Sequence, residues 1–273
     1  MTSASAQYGS AFTEGVARTD GHTIRYFRAG DGDSLVVLHS AAGLRFSPLL
    51  DRLAEEFDVI LFALPGWGAE PDDGRDQTVP ELANTLYEAT QDLGLKTFHL
   101  LGTTLGGDVA LHIALDHPER VTSLVLEAPG TFHEGADPAP GNITPEEALR
   151  KVRIHPERRP VFEPPHPDAQ VRMFELISRL QETDPDYQQN ITERLPGCSV
   201  RTLVVFGDQD GFIPPQNGRT FARLMPDCSF VLLHDAAHDV QGDRGEDLGA
   251  LVADFLTHGP EFRLPPDSAL VAP

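Results

Sequence analysis

One stretch restricts the fold more than any other. A short apolar run, Phe98-His-Leu-Leu101, meets the small residues Gly102-Thr-Thr-Leu-Gly-Gly107, and a helical pattern starts at once and continues to Leu115. A chain that turns from strand to helix within so few residues needs glycine where its backbone closes on itself. Such a turn leaves one side chain, here Thr104, projecting at the top of a parallel sheet.

The rest of the chain supplies that sheet. Continuous apolar runs at 34–39, 59–64, 121–126, 202–206 and 229–233 fit strands buried on both faces. Helical periodicity lies between them, at 46–57, 80–93 with Pro80 in the first turn, from about 104, at 215–224 and at 246–258. Residues 13–18 and 22–28 alternate polar and apolar residues around Asp20-Gly21, which predicts an antiparallel hairpin at the sheet edge. Strands alternating with helices, without internal repeats, predict an α/β fold with a mostly parallel sheet covered on both faces. The pattern breaks over 131–197, which is proline-rich up to 168 and helical from 169 to 181. The expected organisation is a core of residues 1–130 and 199–260, an inserted lid of residues 131–198 and a C-terminal tail of residues 261–273.

Composition narrows the partners. A formal net charge of −21 repels phosphate backbones and anionic headgroups, so neither nucleic acid nor membrane is an expected partner. No apolar run approaches the ~20 residues needed to cross a bilayer. The first 15 residues lack a basic stretch followed by an apolar run, so no secretory signal is expected. Cys198 and Cys228 match no metal spacing and read as free thiols, which together points to the cytoplasm.

In open parallel sheets, ligands bind beyond the carboxyl ends of the strands. Four strand ends carry suitable residues: Thr104; Asp210, in Gly207-Asp-Gln-Asp210; His238, in Ala236-Ala-His238; and the turn His39-Ser-Ala-Ala-Gly43. A hydroxyl at its free pKa is a poor nucleophile and needs a neighbouring base. A histidine supplies one near neutral pH, and a buried carboxylate fixes its tautomer.

Pro65-Gly-Trp-Gly68, Gly102-Thr-Thr-Leu-Gly106, the G-x-x-D of 207–210 and the late A-A-H, in that order, resemble the α/β-hydrolase fold superfamily over about residues 20–258. The resemblance implies about eight strands, helices on both faces and a helical lid. It also implies Thr104 as nucleophile, His238 as general base and Asp210 as the acid that orients it. The backbone N–H groups of Ala41 and Leu105 would form the oxyanion hole. It implies no cofactor and no metal, and a small, fairly apolar ester, thioester, lactone or related carbonyl substrate. Threonine departs from the serine usual at the elbow, and its methyl group adds strain and crowds the attacking oxygen. Two other readings of the same residues are a non-hydrolytic enzyme (lyase, cyclase or C–C bond cleavage) and a ligand-binding pseudoenzyme.

The remaining candidates carry weaker signals. Ser40, Trp67, Glu127, Met173 and Phe174 are pocket candidates, with Glu127 also readable as a structural hydrogen-bonder and Trp67 as a loop anchor. Asp208 and His234 read as turn and strand-end residues. His112 and His117 read as packing or capping groups. His133, His155, His166 and Ile177 in the insert follow no metal pattern. The acidic cluster 243–247 reads as the start of the last helix.

Overall fold

The computed structural model describes residues 8–21, 23–70, 78–132, 134, 145–158, 161–162, 175, 178–179, 182, 185–263 and 270–271. The sheet is built on β3 (Ser34–Leu38), β5 (Asp58–Phe62), β6 (Phe98–Thr103), β7 (Val121–Glu127), β9 (Thr202–Gly207) and β10 (Cys228–Leu233). These six run parallel, in the order β5-β3-β6-β7-β9-β10. The expected hairpin is present as β1 (Thr13–Arg18) and β2 (Thr23–Ala29), pairing Thr13 with Arg28 and Arg18 with Thr23, and β2 joins β5 antiparallel. A two-residue strand, β11 (Leu270–Val271), pairs antiparallel with Leu232 and Leu233 and brings the sheet to nine strands. A separate two-residue pair joins β4 (Arg45–Phe46) to β8 (Val161–Phe162).

Alternate strand residues face two cores, as strands buried on both faces require. Val36, Leu38, Ile60, Phe62 and Leu100 pack on one side with α2 (Val79–Asp92) and α3 (Leu105–Asp116). Leu35, Val37, Val59, Leu61 and Leu101 pack on the other with α1 (Pro48–Leu53) and the last helix, Val240–His258. α2 begins with a capping box, Thr78 and Glu81 each accepting from the other's backbone N–H, and has proline in its first turn as the sequence suggests.

Some elements differ from the sequence reading. The helix expected over 46–57 is only α1: Phe46 is drawn into β4, Pro48 starts the helix, and the chain leaves it at Ala54. The insert contains α4 (Pro145–Val152) and α5 (Tyr187–Arg194), while the helix expected over 169–181 lies largely outside the described residues. The expected helix over 215–224 is a 3₁₀ turn at Pro215–Asn217 followed by α6 (Gly218–Leu224). In the last helix, α7, Arg244 departs from helical geometry (φ −135°, ψ 42°), so a first turn carrying Asp243 is set off from the long body. Among the described residues no helix is long and apolar enough to cross a membrane.

Candidate active site

The elbow is held by contact between backbones. A Cβ on Gly102 would meet the Gly106 carbonyl and Gly107, and one on Gly106 would meet the carbonyls of Leu38 and His39. The last contact seats the start of α3 against the end of β3, beside the turn that holds Ala41. Thr104 occupies φ 48°, ψ −110°, outside the regions open to a β-branched residue. Among the described residues its hydroxyl makes no hydrogen bond, to Asp210, His238 or any other. Among the described residues the other non-glycine residues at positive φ are Ala128 (43°) and Asp235 (59°), so all three stand just beyond parallel strands at the carboxyl edge. Strain of this kind is concentrated where ligands bind.

Asp210 and His238 follow β9 and β10, and they meet. His238 Nδ1 lies 2.8 Å from Asp210 Oδ2. The other carboxylate oxygen accepts the N–H groups of Phe212 and Ile213, each at 2.8 Å. The Asp210 side chain is fully buried and the His238 ring is 12% exposed, so one edge of the ring remains open. A carboxylate pinned this way holds Nδ1 as the donor and leaves Nε2 as the free basic nitrogen. Asp208 instead meets His234 Nδ1 at 2.6 Å, with the His234 side chain 63% exposed.

The two proposed oxyanion donors come from neighbouring elements. Leu105 is the first residue of α3, where an N–H has no acceptor within its helix. Ala41 sits in the turn closed by Gly43 N–H on the Ser40 carbonyl at 3.0 Å. Gly43 (φ 105°) approaches Gly68 (φ 64°) so closely that a Cβ on either would strike the other's backbone. The Pro65-Gly-Trp-Gly68 loop therefore buttresses this turn. His39, just before it, is buried: Nδ1 lies 2.7 Å from the Ser40 carbonyl, and Nε2 accepts Leu64 N–H at 3.0 Å. Burial lowers its pKa to about 4, which keeps the ring neutral and the pair of bonds intact.

The weaker pocket candidates divide. Ser40 stays half-buried in the turn and lines a small cavity with His39, Arg45, Thr103 and Gln241. Trp67 is 4% exposed and packs in the core, so it is an anchor rather than an open pocket wall. Glu127 is corrected from pocket to core. It is 1% exposed, accepts from Thr103 Oγ1 at 2.8 Å and from Gln241 N–H at 3.0 Å, and has Arg45 at 3.9 Å. Burial raises its pKa against the opposing pull of Arg45, Gln241 and Thr103. Met173, Phe174, His133, His166 and Ile177 lie outside the described residues. His112 stacks on Tyr187 and His117 on Tyr87, as packing groups. Cys198 and Cys228 are free thiols. Among the described residues no group of three or more His, Cys, Asp or Glu is arranged to hold a metal ion.

The sequence reading missed the polar support around the site. Arg45 pairs with Asp239 inside the protein, and Arg153 of the insert reaches the same carboxylate, with Nε at 2.9 Å. Asp108, one turn into α3, is buried against Thr131 Oγ1 at 2.5 Å, and burial raises its pKa to about 7. Asp243, read as part of an acidic helix start, is 1% exposed and bound to backbone N–H groups. Only Asp108, an acidic residue inside an otherwise apolar and glycine-rich helix start, carried a signal that could have drawn notice.

Comparison with known proteins agrees with this architecture. The family model described as alpha/beta hydrolase fold matches residues 33–162. A 2-hydroxy-6-oxononadienedioate/2-hydroxy-6-oxononatrienedioate hydrolase from Pseudomonas putida is 29% identical over 264 residues, covering 86% of this chain and 92% of its own. The dihydrolipoyllysine-residue acetyltransferase component of the acetoin cleaving system of Cupriavidus necator is 26% identical, over 88% of this chain and 68% of its own. Among solved structures, 2-hydroxy-6-oxo-6-phenylhexa-2,4-dienoate hydrolase from Rhodococcus sp. strain RHA1 superposes with a TM-score of 0.72 at 19% identity, covering 90% of this chain and 99% of that one. Sheet order, elbow and family match together show the α/β-hydrolase fold.

Proposed function

We propose that the chain is a hydrolase of small carbonyl compounds that uses Thr104 as nucleophile, His238 as general base and Asp210 as its orienting acid. The observation that carries this reading is the Asp210–His238 pair at 2.8 Å, on the same sheet edge as a hydroxyl held at φ 48°. A threonine that served packing alone would have no reason to occupy so unfavourable a conformation.

In this reading His238 Nε2 takes the Thr104 hydroxyl proton as Oγ1 bonds to the substrate carbonyl carbon. The negative charge moves to the carbonyl oxygen, where the N–H groups of Leu105 and Ala41 receive it. The tetrahedral adduct then collapses, the bond to the leaving group breaks, and the proton on Nε2 passes to that group. Water repeats the sequence on the acyl-threonine, and Thr104 is restored with release of the acid. The threonine methyl restricts χ1 and crowds the attack, so this is a slower site than its serine counterpart.

A second reading has support from the relatives named as hydrolases of 2-hydroxy-6-oxo-dienoates. There the bond broken is carbon–carbon, and the proton carried by His238 is delivered to carbon rather than oxygen.

Turnover of p-nitrophenyl acetate and of a 2-hydroxy-6-oxo-dienoate by the parent, Thr104→Ser and Thr104→Ala separates these readings. Covalent catalysis predicts that alanine lowers kcat by at least about 10³-fold and that serine raises it about tenfold or more. Parent-level turnover in the alanine variant would remove Thr104 from the chemistry. Activity confined to the dienoate would favour the carbon–carbon reading.

A further inference from the structure

The chain leaving α4 crosses both loops that carry the candidate acid and base. The Lys151 carbonyl accepts Gly211 N–H at 3.2 Å, next to Asp210, and the Val152 carbonyl accepts Asp239 N–H at 2.7 Å, next to His238. Arg153 reaches the Asp239 carboxylate. The N–H groups of Ile154 and His155 donate to Asp243 Oδ1 at 3.0 and 2.8 Å. His155 Nε2 meets Asp235 Oδ2 at 2.7 Å, and Arg158 donates to the Asp243 carbonyl at 2.5 Å. Residues 151–158 thus form a strap, part of the insert by sequence, bound along its length to the loops that follow β9 and β10.

Asp243 is the hub of that strap. Its side chain is buried, and its two oxygens divide the work. Oδ1 holds the strap amides, while Oδ2 holds Ala237 N–H at 2.8 Å, one residue before His238, with Ile154 N–H also at 3.1 Å. This arrangement calls for a group that accepts on both sides, which among side chains of this size is the ionised carboxylate. Asparagine offers one acceptor oxygen and would turn its NH₂ toward N–H donors on the other side. A buried N–H left without an acceptor is disfavoured enough to move a loop.

We propose that Asp243 is a positioning residue for His238, tying residues 151–158 to the His238 loop so that the imidazole is aligned on Asp210 only while the strap is docked. The proposal rests on His238 acting as the base, as read above. It makes the insert part of the support of the catalytic base, and not only a cover over the substrate. Undocking the strap switches the base out of register without touching the elbow.

The test uses the full chain with Asp243→Asn, and with Arg158→Ala as a milder variant that leaves the carboxylate in place. Each is compared with the parent by circular dichroism, hydrogen exchange of the amides at 154 and 155, NMR titration of the His238 ring, and p-nitrophenyl acetate turnover. The expected Asp243→Asn variant is folded, with exchange at 154 and 155 faster by about tenfold or more. Its His238 midpoint moves by about half a pH unit or more. Its kcat falls about tenfold or more while KM stays within about twofold. Arg158→Ala moves the same readouts in the same direction by less. Faster exchange with an unmoved His238 titration overturns the proposal, and so does unchanged exchange. If Asp243→Asn does not fold, Arg158→Ala decides by the same two readouts. Failure of the functional reading looks different: His238→Ala would keep parent turnover, while exchange and titration in Asp243→Asn would still report whether the strap aligns the ring.

Discussion

The elbow at Thr104 and the loop at His238 stand on one edge of the sheet and are held by different forces. The elbow is fixed by backbone pressed on backbone, with Gly102 and Gly106 against carbonyls that leave no room for a Cβ. The His238 loop is fixed by carboxylates. Asp239 receives Arg45 and Arg153, and Asp243 receives amides from the strap and from Ala237. Close packing has one geometry and no charge state, whereas a charged scaffold can be loosened by one substitution or one proton. The proposed nucleophile is therefore placed rigidly and the proposed base conditionally.

The sharpest way to break this contrast is to remove charge from the loop. Asp239→Asn leaves Arg45 buried beside a neutral partner, with Glu127 also at 3.9 Å. Burial alone would raise the Asp239 pKa, yet Arg45 and Arg153 together hold it below the ordinary value. Loss of one member of such a pair is expected to destabilise the fold by about 3–5 kcal/mol. Urea denaturation at pH 7 measures it, and a loss under about 1 kcal/mol would show that packing holds this loop too.

Asp108 is the exception inside the elbow helix and gives the next largest effect. Its folded pKa, about 7, lies above the unfolded carboxylate value because burial disfavours the charge. The folded state then binds the extra proton between roughly pH 4 and pH 7, so stability falls as pH rises through that window. Asp108→Asn is expected to flatten this slope and to stabilise the fold at pH 8 by about 2–4 kcal/mol. Thermal melts from pH 4 to pH 8 read it directly, and a parent whose melting point rises across that window would contradict the assignment.

Gly106→Ala tests the packed side of the contrast. The new Cβ forces the carbonyls of Leu38 and His39 to move, with an expected loss of about 1–3 kcal/mol. Unlike the Asp108 effect, this loss stays the same from pH 5 to pH 8, as repeated melts would show.

The sheet was legible because its signals are local. Each buried strand is a continuous apolar run, and the glycines at 102 and 106 announce a turn that few folds contain. Asp210 and His238 could be expected near one another because each follows a recognisable strand, and they meet at 2.8 Å. The support around them was not legible, since its partners are remote in sequence: Arg45 and Asp239 are 194 residues apart, and His155 and Asp243 are 88 apart. Asp243 stands among Asp and Glu residues at a helix start, where an exposed dipole-facing carboxylate is the ordinary expectation. The short α1 has a similar cause. Phe46 is claimed by a bridge to Val161, more than a hundred residues away, and no periodicity within 46–57 reports that.

The conformation of Thr104 sets its proposed chemistry against the durability of the fold. Glycine accepts φ 48° with little steric objection, so replacing Thr104 with glycine would relieve the turn and leave a sturdier protein without a hydroxyl. Random drift toward stability therefore runs away from this residue. A lineage that needed only the scaffold would find the smaller side chain an easy improvement; one that needed the oxygen would have to forgo it.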